Sequence, residues 1–116
     1  MRVLIADQHT KTTRALRMLL QEEPGISAIC EASDAESTLT LAAEKAVDLV
    51  LLDGELPGRP IKDLIDDIQS LSPAPKVIGM SSDLEQGRMF LRAGADAFVS
   101  KGDQPDWLLT TLRRLI

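Results

Sequence analysis

Short apolar runs of strand length alternate with stretches of helical period from one end of this chain to the other, and that alternation leaves few folds open. The runs at residues 3–6, 26–29, 47–52, 76–80 and 95–99 are rich in β-branched residues, and most show no inside-outside alternation. Strands buried on both faces read this way. Between them, apolar residues recur at helical spacing: Leu16/Leu19/Leu20, Ala35/Leu39/Ala42/Ala43/Ala46, Ile61/Leu64/Ile65/Ile68, Leu84/Leu91, and Leu108/Leu109/Leu112/Leu115/Ile116. The punctuation agrees with five helices. Pro24-Gly25 closes the first, Ser33 or Asp34 caps the second, Pro60 starts the third and Ser72-Pro73 ends it, and Pro105 suits the first turn of the fifth. Gly87 interrupts the fourth. Strict βα alternation in so short a chain predicts an α/β fold, a five-stranded parallel sheet doubly wound by helices on both faces.

The 116 residues, 44% of them apolar, suffice for one core, so residues 1–116 are expected to form a single domain. A net charge of -5 offers no electrostatic footprint for nucleic acid or for an anionic membrane surface, and no apolar stretch approaches the ~20 residues that span a bilayer. Nor does the amino terminus resemble a secretory signal. Cys30 is the only cysteine and lies in the apolar run 26–30, which excludes an internal disulfide and predicts a buried small hydrophobe. These features predict a soluble domain of the reducing cytoplasm.

In doubly wound folds the functional site lies outside the carboxyl ends of the strands. The residues there are Asp7-Gln8 after the first strand, Asp53 after the third, Ser81 after the fourth and Lys101 after the fifth. Two facing carboxylates repel unless a cation stands between them, and oxygen ligands with room for water favour Mg²⁺. An ammonium and a hydroxyl beside that metal can hold the equatorial oxygens of a phosphoryl group in flight. The nucleophile is then a carboxylate and the product an acyl phosphate. Asp53 is the better nucleophile because it follows the most apolar, central strand, which leaves Asp7 as a metal ligand.

Val3-Leu4-Ile5-Ala6-Asp7, Asp48-Leu49-Val50-Leu51-Leu52-Asp53, Leu56-Pro57-Gly58, Pro75-Lys76-Val77-Ile78 and the run from Arg92-Ala93-Gly94-Ala95-Asp96 through Ala97-Phe98-Val99-Ser100-Lys101 occur in order and almost without gaps. Together they resemble the consecutive motifs of response-regulator receiver domains, the CheY-like superfamily, over essentially the whole chain. The Ile-Ala-Asp-x-His opening and the Arg-Ala-Gly-Ala-Asp stretch resemble receivers of LuxR/NarL-type regulators. The resemblance implies a flavodoxin-like (βα)5 fold with strand order 2-1-3-4-5. It implies phosphoryl transfer from a sensor histidine kinase to Asp53, as a stoichiometric acceptor rather than an enzyme, in two-component signalling that serves transcription. It implies Mg²⁺ held by Asp7, Asp53 and the backbone carbonyl of Glu55, and phosphoryl contacts from Ser81 and Lys101. Ser81 and Phe98 would be the switch residues that pass the signal to an effector domain or output protein.

Three departures stand out. Gln8 occupies the place of a second acid that is usually the direct metal ligand; an amide oxygen can ligate Mg²⁺, but the lost charge removes an attraction of about 8 kcal/mol at ~4 Å and an effective dielectric of ~20, most of it offset by desolvation. The spacing from Ser81 to Lys101 is about two residues shorter than usual, so residues 82–93 are expected to be recast. Pro60-Ile61 replaces the usual Asp-Gly and stiffens the loop beside Asp53. These departures keep open a second reading, a pseudo-receiver that binds a partner without being phosphorylated. A C-terminal effector domain beyond Ile116 and a homodimer are also left open.

Simpler readings accompany the rest. His9 is read as a surface or second-shell residue beside a helix cap, Trp107 as packing or a partner contact, Met18, Met80 and Met89 as core filler, and Asp63/Asp66/Asp67 as a solvated helix face. Other folds with this alternation fail on motifs: Gly-x-Gly-x-x-Gly, the P-loop Gly-x-x-x-x-Gly-Lys and the Asp-x-Asp of haloacid-dehalogenase phosphatases are absent, and a flavin would lack flanking aromatics.

Overall fold

A computed structural model describes residues 1–115. Its elements run β1 (Arg2–Ala6), α1 (Thr10–Gln21), β2 (Ala28–Ala32), α2 (Ala35–Glu44), β3 (Leu49–Asp53), α3 (Ile61–Gln69), β4 (Lys76–Ser81), α4 (Glu85–Ala93), β5 (Ala97–Ser100) and α5 (Pro105–Leu115). The strands form one parallel sheet in the order β2-β1-β3-β4-β5, as the family resemblance implies. Ile116, the last residue of the expected fifth helix, lies outside the described residues.

The period-2 geometry of β1 divides the core. Leu4 and Ala6 face one side with Val50, Leu52, Leu64, Ile65, Ile68 and Phe90, while Val3 and Ile5 face the other with Leu20, Leu49, Leu51, Ile78, Leu108 and Leu112. Helices α2, α3 and α4 therefore cover one face, and α1 and α5 the other. Five consecutive buried residues, Leu49–Asp53, make β3 the interior strand, which accounts for its unbroken apolar sequence.

Boundaries moved where backbone amides find partners outside the ladder. The second strand begins at Ala28 rather than residue 26, because Ile26 donates its amide to the carbonyl of Glu23 in the turn leaving α1, and Ser27 donates to that of Met1. The fifth begins at Ala97 rather than residue 95. Gly94, at φ 108°, caps α4 in the left-handed region, Ala95 donates back to Phe90, and the Asp96 carboxylate accepts the amide of Val77. Pro60 is the N-cap of α3 rather than its first helical residue. Asp34, not Ser33, caps α2, accepting the Ser37 amide at 2.7 Å.

Gly87 does not break α4. It faces inward, where a Cβ would stand 2.9 Å from the Phe98 ring. Of the methionines read as core filler, Met80 is buried and Met89 half-buried, but Met18 is 64% exposed on α1. Cys30 is half-buried in the edge strand β2 rather than fully enclosed, and burial raises its thiol pKa. Trp107 stands in solvent on the first turn of α5. Among the described residues no helix is long and apolar enough to cross a membrane.

Candidate functional site

Three of the residues predicted at strand ends, Asp7, Asp53 and Lys101, bring their side chains together at the carboxyl edge of the sheet. β1 delivers Asp7, whose amide bonds the carbonyl of Ala32 on β2 at 3.0 Å, so the aspartate is fixed by the sheet itself. β3 ends in Asp53. Beyond it a tight turn forms, with Leu56 donating to the Asp53 carbonyl at 3.1 Å and Glu55 donating its amide to Asp53 Oδ1 at 3.2 Å. Both carboxylates are almost wholly enclosed, Asp7 at 3% exposure and Asp53 at 1%. Lys101 follows β5, and its amide bonds the carbonyl of Ser81 at 2.9 Å, tying the ends of β4 and β5 together.

Charge explains how two buried acids coexist. Lys101 Nζ lies 2.9 Å from Asp7 Oδ2 and 3.0 Å from Asp53 Oδ1, bridging them from strand ends 94 and 48 residues away. Burial pulls the lysine pKa down, but hydrogen bonds and Coulombic attraction from both carboxylates outweigh it and hold the ammonium above its ordinary value. One cation still faces two anions. Asp53 Oδ2 has no hydrogen-bond partner, although it is buried, and an unsatisfied buried acceptor costs about 1–3 kcal/mol.

The orphaned oxygen faces His9. The imidazole Nδ1 is 3.6 Å from Asp53 Oδ2 and 3.0 Å from Asp7 Oδ1, which also accepts the His9 backbone amide at 2.8 Å. His9 occupies the N-cap of α1 but makes no capping bond with its side chain. Asp7, His9 and Asp53 each place one ligating atom within 4.8 Å of the others. The sequence reading left His9 at the surface or behind the site. The structure leaves its ring half exposed, with Nδ1 hydrogen-bonded to Asp7 Oδ1 and 3.6 Å from Asp53 Oδ2. The available signal was its position two residues past Asp7, at the junction where strand turns into helix.

Gln8 and Glu55 meet each other. The Gln8 side chain donates its amide nitrogen to the Glu55 carbonyl at 3.1 Å, at the exposed rim of the pocket. The amide thus occupies the carbonyl expected to be a metal ligand. Ser81 is buried at the end of β4, and its hydroxyl accepts the Asp83 amide at 3.0 Å in a local turn. It lies at the predicted strand end without bonding either carboxylate among the described residues. Phe98 on β5 turns toward α4, with its ring centroid 5.7 Å from that of Phe90. Gln86 was not foreseen: its side chain crosses Gly54, the residue after Asp53, and its Oε1 is buried without a partner.

The sequence matches the family "Response regulator receiver domain" over residues 3–113. The nitrate/nitrite response regulator protein NarL of Escherichia coli K12 is 31% identical over 114 residues. That alignment covers 97% of this chain and 53% of NarL, so the chain spans about half the length of such curated relatives. A two-component response regulator of the LuxR family from Aurantimonas sp. superposes with a TM-score of 0.86 at 26% identity, covering 98% of this chain and 83% of that one. The receiver domain of a sensor histidine kinase from Pseudomonas aeruginosa PAO1, with a magnesium ion coordinated in its active-site cleft, shares the fold with a TM-score of 0.86 at 18% identity, covering 98% of this chain and 95% of that one. With residues 3–113 matched to the family model and its fold shared with solved receivers, the chain belongs to the response regulator receiver domain family, and its relatives are regulators of the NarL/LuxR type.

Proposed function

We propose that this domain accepts a phosphoryl group on Asp53 from the phosphohistidine of a sensor kinase and presents the change to an effector domain or output protein. One observation carries the reading. The Asp53 carboxylate is buried beside a second acid, bridged on one oxygen by Lys101 and unpartnered at the other. A fold gains no stability from such an arrangement, whereas phosphoryl transfer to a carboxylate calls for it.

In the transfer a carboxylate oxygen of Asp53 forms a bond to phosphorus as the phosphorus–nitrogen bond of the kinase imidazole breaks. The imidazole leaves with the electron pair. Lys101, already on Asp53 Oδ1, remains beside the new acyl phosphate as its counter-charge. Ser81, whose hydroxyl accepts the Asp83 amide and keeps its own proton, would donate to a phosphoryl oxygen. The domain catalyses only its own phosphorylation and dephosphorylation and is not an enzyme acting on other substrates.

A divalent cation suits this donor set, because the unpartnered Asp53 oxygen and the excess of carboxylate over ammonium both call for positive charge. Asp7, Asp53 and the Glu55 carbonyl would hold Mg²⁺, with Gln8 able to add its amide oxygen after releasing that carbonyl. When bound, the ion neutralises charge on the transferring phosphoryl group. Phe98 would report the change to the α4 face by altering its packing against Phe90. By analogy with NarL-type relatives, the domain would act in the cytoplasm, joined to a DNA-binding domain or as part of a homodimer, with no nucleic-acid contact of its own.

Gln8, seated on the Glu55 carbonyl, favours a second reading in which the domain docks a partner without phosphorylation. Incubation with acetyl phosphate, with and without Mg²⁺, separates the two by intact mass against an Asp53→Asn control. A single phosphoryl addition that requires both Mg²⁺ and Asp53 supports the acceptor; no addition at any Mg²⁺ concentration leaves the interaction module.

A further inference from the structure

The two carboxylates divide their oxygens. Asp7 Oδ2 and Asp53 Oδ1 go to Lys101, while Asp7 Oδ1 and Asp53 Oδ2 turn to His9. The lysine side of the pocket is filled. The histidine side holds two anionic oxygens and an imidazole nitrogen, and one of those oxygens is the buried atom without a partner. Nδ1 stands 3.0 and 3.6 Å from the two oxygens, close to the edge of a coordination polyhedron, which for bonds of about 2.1 Å is roughly 3.0–3.5 Å. The three ligating atoms lie within 4.8 Å of one another.

We infer that His9 Nδ1 is a protein ligand of the cation in this pocket, so that the site takes a nitrogen-accepting first-row divalent ion, of the manganese-to-zinc series, in preference to Mg²⁺. Mg²⁺ holds oxygen ligands and rarely exchanges them for nitrogen, whereas imidazole suits the later metals, whose affinity for mixed nitrogen and oxygen sites rises across the series. Gln8 removes the anionic oxygen that would have favoured Mg²⁺, and its amide is turned to Glu55. The His9 ring does not cap α1; without an ion Nδ1 hydrogen-bonds Asp7 Oδ1 at 3.0 Å, and ligation replaces that bond, the proton moving to Nε2 so that the Nδ1 lone pair faces the ion. The chain contains a single histidine, so any imidazole ligation detected belongs to His9.

This inference rests on the reading of the pocket as a receiver's cation site, and its test is read without phosphoryl transfer. The metal-stripped protein is titrated with Co²⁺ and with Mg²⁺ by calorimetry, and Mn²⁺ bound to it is examined by pulsed electron paramagnetic resonance for nitrogen modulation. The parent protein is expected to bind Co²⁺ at least 100-fold more tightly than Mg²⁺ and to show one imidazole nitrogen on Mn²⁺. His9→Asn, which keeps a good helix cap but no imidazole, is expected to lose the nitrogen signal and at least tenfold in Co²⁺ affinity, with Mg²⁺ affinity changed less than twofold. His9→Ala should do the same, with folding checked by circular dichroism. An oxygen-only Mn²⁺ spectrum, or equal losses for Co²⁺ and Mg²⁺, overturns the inference while Mg²⁺-dependent phosphorylation of Asp53 stands. Failure of every ion to bind overturns both.

Discussion

Phe90 covers Gly79 so closely that a Cβ on the glycine would stand 2.3 Å from the aromatic ring. The ring occupies the volume that a side chain on β4 would otherwise fill, which explains a glycine in the middle of a strand paired on both sides. Gly79→Ala is therefore expected to destabilise the domain by about 2 kcal/mol through overpacking, and Phe90→Ala by about 3–5 kcal/mol through an emptied site. Combining Gly79→Ala with Phe90→Ala should cost less than the sum of the two single changes. Urea denaturation of the four proteins measures this coupling, and strict additivity would show that the two sites are independent.

Lys101 answers for two acids, so its loss should be felt in the fold. Lys101→Met is expected to cost roughly 3 kcal/mol at neutral pH in the absence of divalent ions, since both aspartates stay buried without a counter-charge. Adding Asp53→Asn to that variant should restore most of the loss. Denaturation in the presence of a chelator checks both values; an unchanged midpoint in the single variant would mean that water already compensates the carboxylates.

Gln8→Asp returns the missing acid and frees the Glu55 carbonyl from its amide partner. Mg²⁺ affinity should rise about tenfold or more, equivalent to roughly 1.4 kcal/mol, a fraction of the Coulombic gain after desolvation. Titration calorimetry with Mg²⁺ is the measurement. An affinity equal to the parent's would place the ion away from residue 8.

The Asp34 cap has a pH signature. Hydrogen bonding from Ser37 holds its carboxyl below the ordinary value of 3.8. A depressed folded value contributes stability that is present above the unfolded pKa and lost as pH falls through the folded one. Asp34→Ala should therefore lower the melting temperature by a constant amount above about pH 5, and the gap should narrow below about pH 4. Melting curves across that range are the check, and a gap that widens on acidification would contradict it.

The fold was legible because strand and helix periods differ so plainly in this chain, and because the strands buried on both faces announce themselves as unbroken apolar runs such as Leu49–Leu52. Boundaries were less legible where an amide found a partner outside the ladder, as with Ile26, Ser27 and Val77. The meeting of Asp7, Asp53 and Lys101 followed from the rule that sites gather at strand ends. His9 escaped because a residue just past a strand points either to solvent or back toward the site, and only the backbone path into α1 decides which. Gln86 and Phe90 escaped for a related reason: what gave them their places was the absence of side chains at Gly54 and Gly79, and an absence has no periodicity.

Gly54 follows β3, Gly79 lies in β4 and Gly87 in α4, and each leaves a recess filled by the Gln86 side chain or by the rings of Phe90 and Phe98. Tightly packed interiors shift between discrete arrangements rather than deforming smoothly. For α4 the recesses act as a detent. Any sliding of α4 along the sheet must first move the Phe90 ring out of the notch at Gly79.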